Sequence, residues 1–200
     1  MEKLLVKTRA GTFLLDATPR GLSAVHFPGQ FQKPKRLPRA SPFLRNAGKM
    51  LRRYFLDPCA PLYRVKIDTS SLTLFQRKVY GTLRRSGNKL ISYAALARES
   101  GFKNAGRAVG TSMKKNRTPV FVPCHHVVKA NGDLGGYSCG IKWKRYLLRN
   151  EGLLYACFSL LLCFFPSIIR QLRIVASLCL RINVSEEKVS LHCNPKRSPN

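Results

Sequence analysis

The period of the apolar residues changes near residue 70, and no other feature constrains the fold as much. Before it, apolar residues come in short runs: Leu4-Leu5-Val6, Thr12-Phe13-Leu14-Leu15 and Ala24-Val25-His26-Phe27. Gly11, turn material from Asp16 to Gly21, and Pro28-Gly29 separate them, which predicts a small β-rich unit. Residues 32–39 form a basic, proline-broken linker. Residues 43–55 have helical spacing, and residues 62–67 read as a further strand. Beyond residue 70, Phe75, Val79 and Leu83 fall at i, i+4 and i+8, one face of a helix. Residues 92–100 read as a second helix stopped by Gly101. A third starts at Asn104, a good N-cap, and runs through Ala108, Val109 and Met113 to about Lys115. Two short helices across a glycine-containing turn are a helix-turn-helix signature. Residues 119–123 are an apolar, proline-bounded, strand-like run ending at Cys124-His125-His126. A turn at Asn131-Gly132-Asp133 and a helix over residues 141–150, closed by Glu151-Gly152, complete the pattern.

The predicted architecture is α/β. A β-rich N-terminal domain covers residues 1–70, and a helical, helix-turn-helix catalytic domain covers residues 71–152. Residues 153–200 are an atypical hydrophobic and basic tail. Residues 153–169 carry no charge, and Arg170, Arg173 and Arg181 punctuate the stretch after them. The uncharged run would extend roughly 25 Å as a helix, short of the ~20 residues a bilayer core takes. A segment outside the ancestral domain is the preferred reading, with a marginal anchor or a hydrophobic cover as alternatives.

Charge decides the class of partner. The chain has 36 Lys+Arg against 9 Asp+Glu, a net +27, and is 44% hydrophobic, so it can build a core. This balance excludes binding of polycations and chelation of calcium by carboxylate clusters. It points to a polyanion, nucleic acid ahead of a membrane surface. Lys103, Arg107, Lys114, Lys115 and Arg117 put basic charge on the helix-turn-helix. Seven cysteines, an odd number with no Cys-x-x-Cys pair, fit reduced thiols in an intracellular compartment, cytoplasmic or nuclear. The four histidines show no zinc-site interval, so no metal is expected, and no glycine-rich phosphate loop is present.

The chemistry centres on Cys124. Imidazole next to a thiol favours the thiolate, the form that attacks. A histidine in that role takes an orienting acceptor on its other nitrogen, and Glu151, closing the last helix, is the natural one. An isolated Cys-His pair is more often a buried thiol beside a ring.

This pair is not isolated. Pro123-Cys124-His125-His126-Val127-Val128, then Gly135-Gly136-Tyr137-Ser138, then Lys144-Arg145-Tyr146-Leu147-Leu148-Arg149-Asn150-Glu151-Gly152 closely resemble the active-site region of O6-alkylguanine-DNA alkyltransferases. Ile91-Ser92-Tyr93, Gly106-Arg107-Ala108-Val109-Gly110 and Asn116 resemble further motifs of that family. The resemblance covers residues 11–152 and is strongest from Phe75 onward. It implies direct repair of O6-alkylguanine in double-stranded DNA by a monomer without cofactor, the alkyl group passing irreversibly to Cys124. His125, acting through a water, would take the thiol proton, Glu151 would hold the ring and Asn116 would brace the network. Tyr93, Tyr137 and Ser138 would bind the guanine. Arg107 would fill the gap left by the flipped base, with Ala105 and Ala108 close to the backbone and Lys103 and Lys114 contacting DNA.

Three departures stand against the family pattern. His126 replaces a usual arginine, Cys139 stands where a small residue is common, and the tail follows Gly152. The rival readings are a non-catalytic alkyltransferase-like lesion-binding protein, a cysteine hydrolase using Cys124, His125 and Glu151, and a helix-turn-helix regulator with an inert thiol.

Overall fold

The computed structural model describes residues 1–34, 36, 37 and 39–154, so the tail expectation lies, beyond Leu154, outside the described residues. Strands β1 (Glu2–Thr8), β2 (Gly11–Thr18) and β3 (Gly21–His26) form an antiparallel sheet in that order, Val6 opposite Phe13 and Leu15 opposite Val25. The predicted turn from Asp16 shrinks to Pro19-Arg20, because Asp16 to Thr18 remain in β2. Asp16 is stabilised there by His26, whose Nε2 lies 2.9 Å from Asp16 Oδ2. Helix α1 (Pro42–Tyr54) starts on Ser41, whose Oγ accepts the Leu44 N–H at 3.3 Å, with proline in the first turn. It lies tight on β1 at Gly48, where a Cβ would come within 2.9 Å of Leu4 and Val6 side chains.

Residues 62–67 are not a strand. Leu62–Arg64 form a 3-10 turn and Ile67 makes only an isolated bridge to Leu22. The Arg84 guanidinium donates to the carbonyls of Tyr63 at 2.7 Å and Val65 at 2.6 Å, so these acceptors are satisfied by a side chain rather than a ladder.

Helix α2 (Leu74–Arg85) opens with a capping box between Thr73 and Gln76 and buries Val79, Tyr80 and Leu83. Then β4 (Ile91–Ser92) leads into α3 (Tyr93–Glu99), capped by Ser92 Oγ on the Ala95 N–H at 3.1 Å. A turn joins α3 to α4 (Gly106–Lys114), completing the helix-turn-helix. Asn104 is not the N-cap. Its φ is +57°, a left-handed conformation incompatible with the extended backbone of a cap, and Ala105 precedes the helix without a side-chain bond.

Residues 119–123 are likewise not a strand but a buried loop. Prolines at each end lack a donor, Val120 has φ +73°, and the Val122 N–H turns back to Thr118 O at 2.9 Å. The chain continues as a 3-10 turn at Cys124–His126 and then β5 (Val127–Val128), which pairs parallel with β4. Helix α5 (Ile141–Asn150) closes the described fold.

One core runs through both parts. Phe13 meets Phe27 at 5.0 Å and Phe55 at 5.1 Å between ring centroids, and Phe27 meets Trp143 at 4.8 Å. The Phe13–Phe27 and Phe27–Trp143 pairs are edge-to-face and Phe13–Phe55 is tilted; aromatic pairs of this kind contribute about 0.5–1.5 kcal/mol each beyond burial. They clamp the sheet and α1 against α5, and so fix where α5 ends. Among the described residues, no helix is long and apolar enough to cross a membrane.

Candidate active site

The site is assembled by the β4–β5 pairing and by the end of α5. Pairing Ile91 with Val127 and Ser92 with Val128 sets Tyr93, at the head of α3, beside the turn carrying Cys124. Gly110 on α4 stands beside the Tyr93 ring, where a Cβ would make ordinary contact with it at 3.8 Å. A cavity of about 390 Å³ opens between α3, α4 and the Gly136–Ser138 loop. Of the residues predicted for the site, Tyr93, Lys114, Cys124, Tyr137 and Ser138 line it; Gly110 and Gly136, which the motifs contain without a stated role, and Met113, read as part of the third helix, join them.

Cys124 is buried, 4% exposed. Asn116 Nδ2 donates to its Sγ at 3.1 Å and to Val122 O at 3.1 Å, while Asn116 Oδ1 accepts the Thr118 N–H at 3.0 Å. One amide thereby fixes the thiol and the loop before it. Burial raises the thiol pKa to about 11, against the lowering effect of the Asn116 donor. An unassisted thiol here is almost wholly protonated at neutral pH, so attack requires a base.

Two imidazoles and a carboxylate lie directly behind. His125 is fully buried, and its Nε2 stands 2.9 Å from Glu151 Oε1. His126 Nε2 stands 2.6 Å from Glu151 Oε2, and the Tyr54 hydroxyl donates to Oε1. Burial alone would raise the Glu151 carboxyl, but the two imidazoles hold it well below the usual carboxylate range. An ionised carboxylate only accepts, so both Nε2 atoms carry protons. His125 Nδ1 is therefore the lone-pair nitrogen, and it has no partner among the described residues. Burial lowers the His125 pKa against the pull of Glu151, so the ring is neutral and able to take a proton. Around the cavity, burial first and Cys124 second raise the phenols of Tyr93 and Tyr137, keeping them protonated donors.

Two contributors were missed in the sequence. Tyr54 comes from α1, about a hundred residues from Glu151 in the chain; the α1 apolar stripe predicts its burial but not its partner. Lys144 is fully buried and its Nζ donates to Val127 O at 2.6 Å and to Leu134 O, tying α5 to the strand after His126. Its spacing to Leu147 and Leu148 at i+3 and i+4 puts it on the apolar face, a signal that was available. Burial pulls its pKa down to about 8. Cys139 is half-buried, its Sγ 4.0 Å from Ser138 Oγ.

The rim carries the charge. Lys103, Arg107, Ala108 and Lys114 are exposed and Ala105 half-exposed along the turn and α4, with Lys115 and Arg117 continuing the basic run.

A buried thiol at the floor of a cavity, under a basic helix-turn-helix, defines a class of cysteine enzymes built on a DNA-binding scaffold. The family described as 6-O-methylguanine DNA methyltransferase, DNA binding domain, matches residues 74–153. A methylated-DNA–protein-cysteine methyltransferase of Methanosarcina acetivorans is 32% identical over 146 residues, covering 71% of this chain and 92% of that protein. One from Shigella flexneri is 38% identical over 105 residues, 52% of this chain and 61% of the relative. The solved structure of Mycobacterium tuberculosis OGT in complex with DNA is 28% identical with a TM-score of 0.61, covering 76% of this chain and 93% of that one. The chain belongs to the methylated-DNA–protein-cysteine methyltransferase family.

Proposed function

We propose that the protein repairs O6-alkylguanine in double-stranded DNA by transferring the alkyl group, once per molecule, to Cys124. The observation that carries this reading is the buried Cys124 thiol, held by Asn116 on the cavity floor with the His125–Glu151 pair behind it. A bridging water passes the thiol proton to His125 Nδ1, and Glu151 stabilises the imidazolium that forms. The sulfur lone pair forms the S–C bond as the C–O6 bond breaks, and its electrons go to the guanine. Tyr93 delivers a proton to the departing base, while Ser138 and Tyr137 hold its O6 edge. The S-alkyl thioether has a poor leaving group, so the transfer is irreversible and the alkylated protein is spent.

The target carbon lies inside a duplex, so the base must leave the stack to reach the cavity. Exposed Arg107 at the head of α4 fills the space left behind, Ala105 and Ala108 permit close approach to the sugar-phosphate backbone, and Lys103 and Lys114 contact phosphates. The protein acts as an intracellular monomer. The division near residue 70 separates a supporting N-terminal domain from a DNA-binding, catalytic domain over residues 71–152.

The test is single-turnover repair of a duplex bearing one O6-methylguanine. The expected result is at most one guanine restored per protein molecule, none by Cys124→Ser, and no dependence on added cofactor. Binding of the lesion without restored guanine would instead establish the lesion-binding alternative.

A further inference from the structure

Alkyl transfer uses one imidazole and one carboxylate, yet the structure supplies two imidazoles. His126 has no step in the reaction, but it shares Glu151 with His125 on nearly equal terms, at 2.6 Å against 2.9 Å. Potential ligand atoms of these three residues all lie within 4.8 Å of one another, in the interior. Two histidines and one glutamate are a donor set that takes zinc in three-ligand sites. An arginine at position 126 would place a permanent cation there with no lone pair to offer. His126 instead places an imidazole there, whose nitrogens can serve as metal ligands.

We propose that His125, His126 and Glu151 form a binding site for a divalent transition-metal ion of the zinc class, and that its occupancy switches alkyl transfer off. Metal–ligand bonds of about 2.0–2.2 Å place tetrahedral ligand atoms roughly 3.3–3.5 Å apart. The separations of 2.9 and 2.6 Å therefore widen by about 0.5 and about 0.8 Å respectively when a metal replaces the shared protons. Tyr54, already donating to Glu151, stands beside this set.

Proton bookkeeping makes the site inhibitory. A neutral ring has one proton, now on Nε2 facing Glu151. A metal ion takes the Nε2 lone pair, so that proton moves to Nδ1 without leaving the ring. Neither ring's Nδ1 has a partner among the described residues, so no existing bond resists the change. For His125 the outcome is decisive, because Nδ1 then donates and cannot accept the Cys124 proton. The thiol stays protonated and no S–C bond forms. Metal binding stands independently; its effect on transfer rests on the function proposed above.

The test uses the full chain, reduced and stripped of metal by a chelator, with Co²⁺ as the spectroscopic probe. Wild type takes up one Co²⁺ more per chain than His126→Arg. The difference spectrum between them shows visible d–d bands without a thiolate-to-cobalt charge-transfer band, and Cys124→Ser retains it. His126→Gln, which keeps a donor to Glu151 but no imidazole, shows the same loss and guards against misfolding of the arginine variant. Equal uptake by wild type and both variants, or a thiolate band in the difference spectrum, would overturn the site. Saturating Zn²⁺ slows wild-type transfer by about 100-fold or more, the scale of a lost general base, and leaves His126→Arg unchanged. Cobalt binding with undiminished transfer would overturn the inhibitory role alone. Absence of transfer without metal would instead count against the proposed function.

Discussion

Two interiors meet in this protein, and they are equally buried but chemically opposite. Around Phe13, Phe27 and Phe55 the sheet and α1 enclose aromatic and aliphatic side chains with few polar groups. Behind Cys124, similarly hidden from solvent, are Asn116, Thr118, His125, His126 and Lys144, with the Glu151 side chain 4% exposed. The first region stabilises the fold by removing apolar surface from water. The second sacrifices stability, since its charged and polar groups lose hydration and recover it only through specific partners. Its organisation shows how those partners are found: Glu151 meets three donors and the Lys144 ammonium two carbonyls. The aromatic interior supports the reactive one by holding α5 in place.

Substitutions in each interior separate these roles. Glu151→Gln cannot accept from both rings, so single-turnover transfer should fall by about 10²–10⁴-fold, the usual contribution of general acid–base catalysis. An undiminished rate would remove the polar interior from the reaction. Phe13→Ala should cost about 3–5 kcal/mol in a denaturant titration, while transfer per folded molecule changes little. A large loss of rate in the folded fraction would show that the two interiors are not separable.

Lys144 sharpens the contrast through pH. Its folded pKa of about 8 lies below the ordinary lysine value, so the unfolded chain binds more protons between the two. Stability from this group therefore rises with pH through that window, the penalty being complete below about pH 8. Relative to Lys144→Met, wild type should gain about 1 kcal/mol between roughly pH 7 and pH 9. Parallel stability profiles of the two proteins would contradict a buried ammonium at this position. The smallest effect is expected at the surface: Lys103→Ala, which removes a proposed phosphate contact, should weaken duplex binding and reduce the salt slope by about one. Cys124 alkylation by a small electrophile should be unchanged.

The two interiors also differed in how far the sequence disclosed them. The apolar one was legible from period: the three strands, the helix at α1 and the Val79–Leu83 face of α2 come from spacing, with boundaries within a few residues. Spacing failed where side chains took over backbone bonding. Arg84 captures the carbonyls that would have made residues 62–67 a strand. Prolines and the positive φ of Val120 turn residues 119–123 into a loop, and Asn104 adopts a turn rather than a cap. The polar interior was legible only through motifs. Resemblance named Cys124, His125, Asn116 and Glu151, which lie together around one thiol and one carboxylate. Tyr54 carries no motif and reaches Glu151 only by tertiary packing. The absence of a zinc-type histidine interval likewise says nothing about a glutamate folded against two adjacent rings.

The central claim is that Cys124 accepts the alkyl group. Intact-protein mass spectrometry after incubation with a duplex carrying one O6-methylguanine, followed by peptide mapping, tests it most directly. A gain of a single methylene on the Cys124 peptide, absent in Cys124→Ser, is the predicted result. A methylene mapped to Cys139, or repair of the duplex with no gain in protein mass, would contradict it.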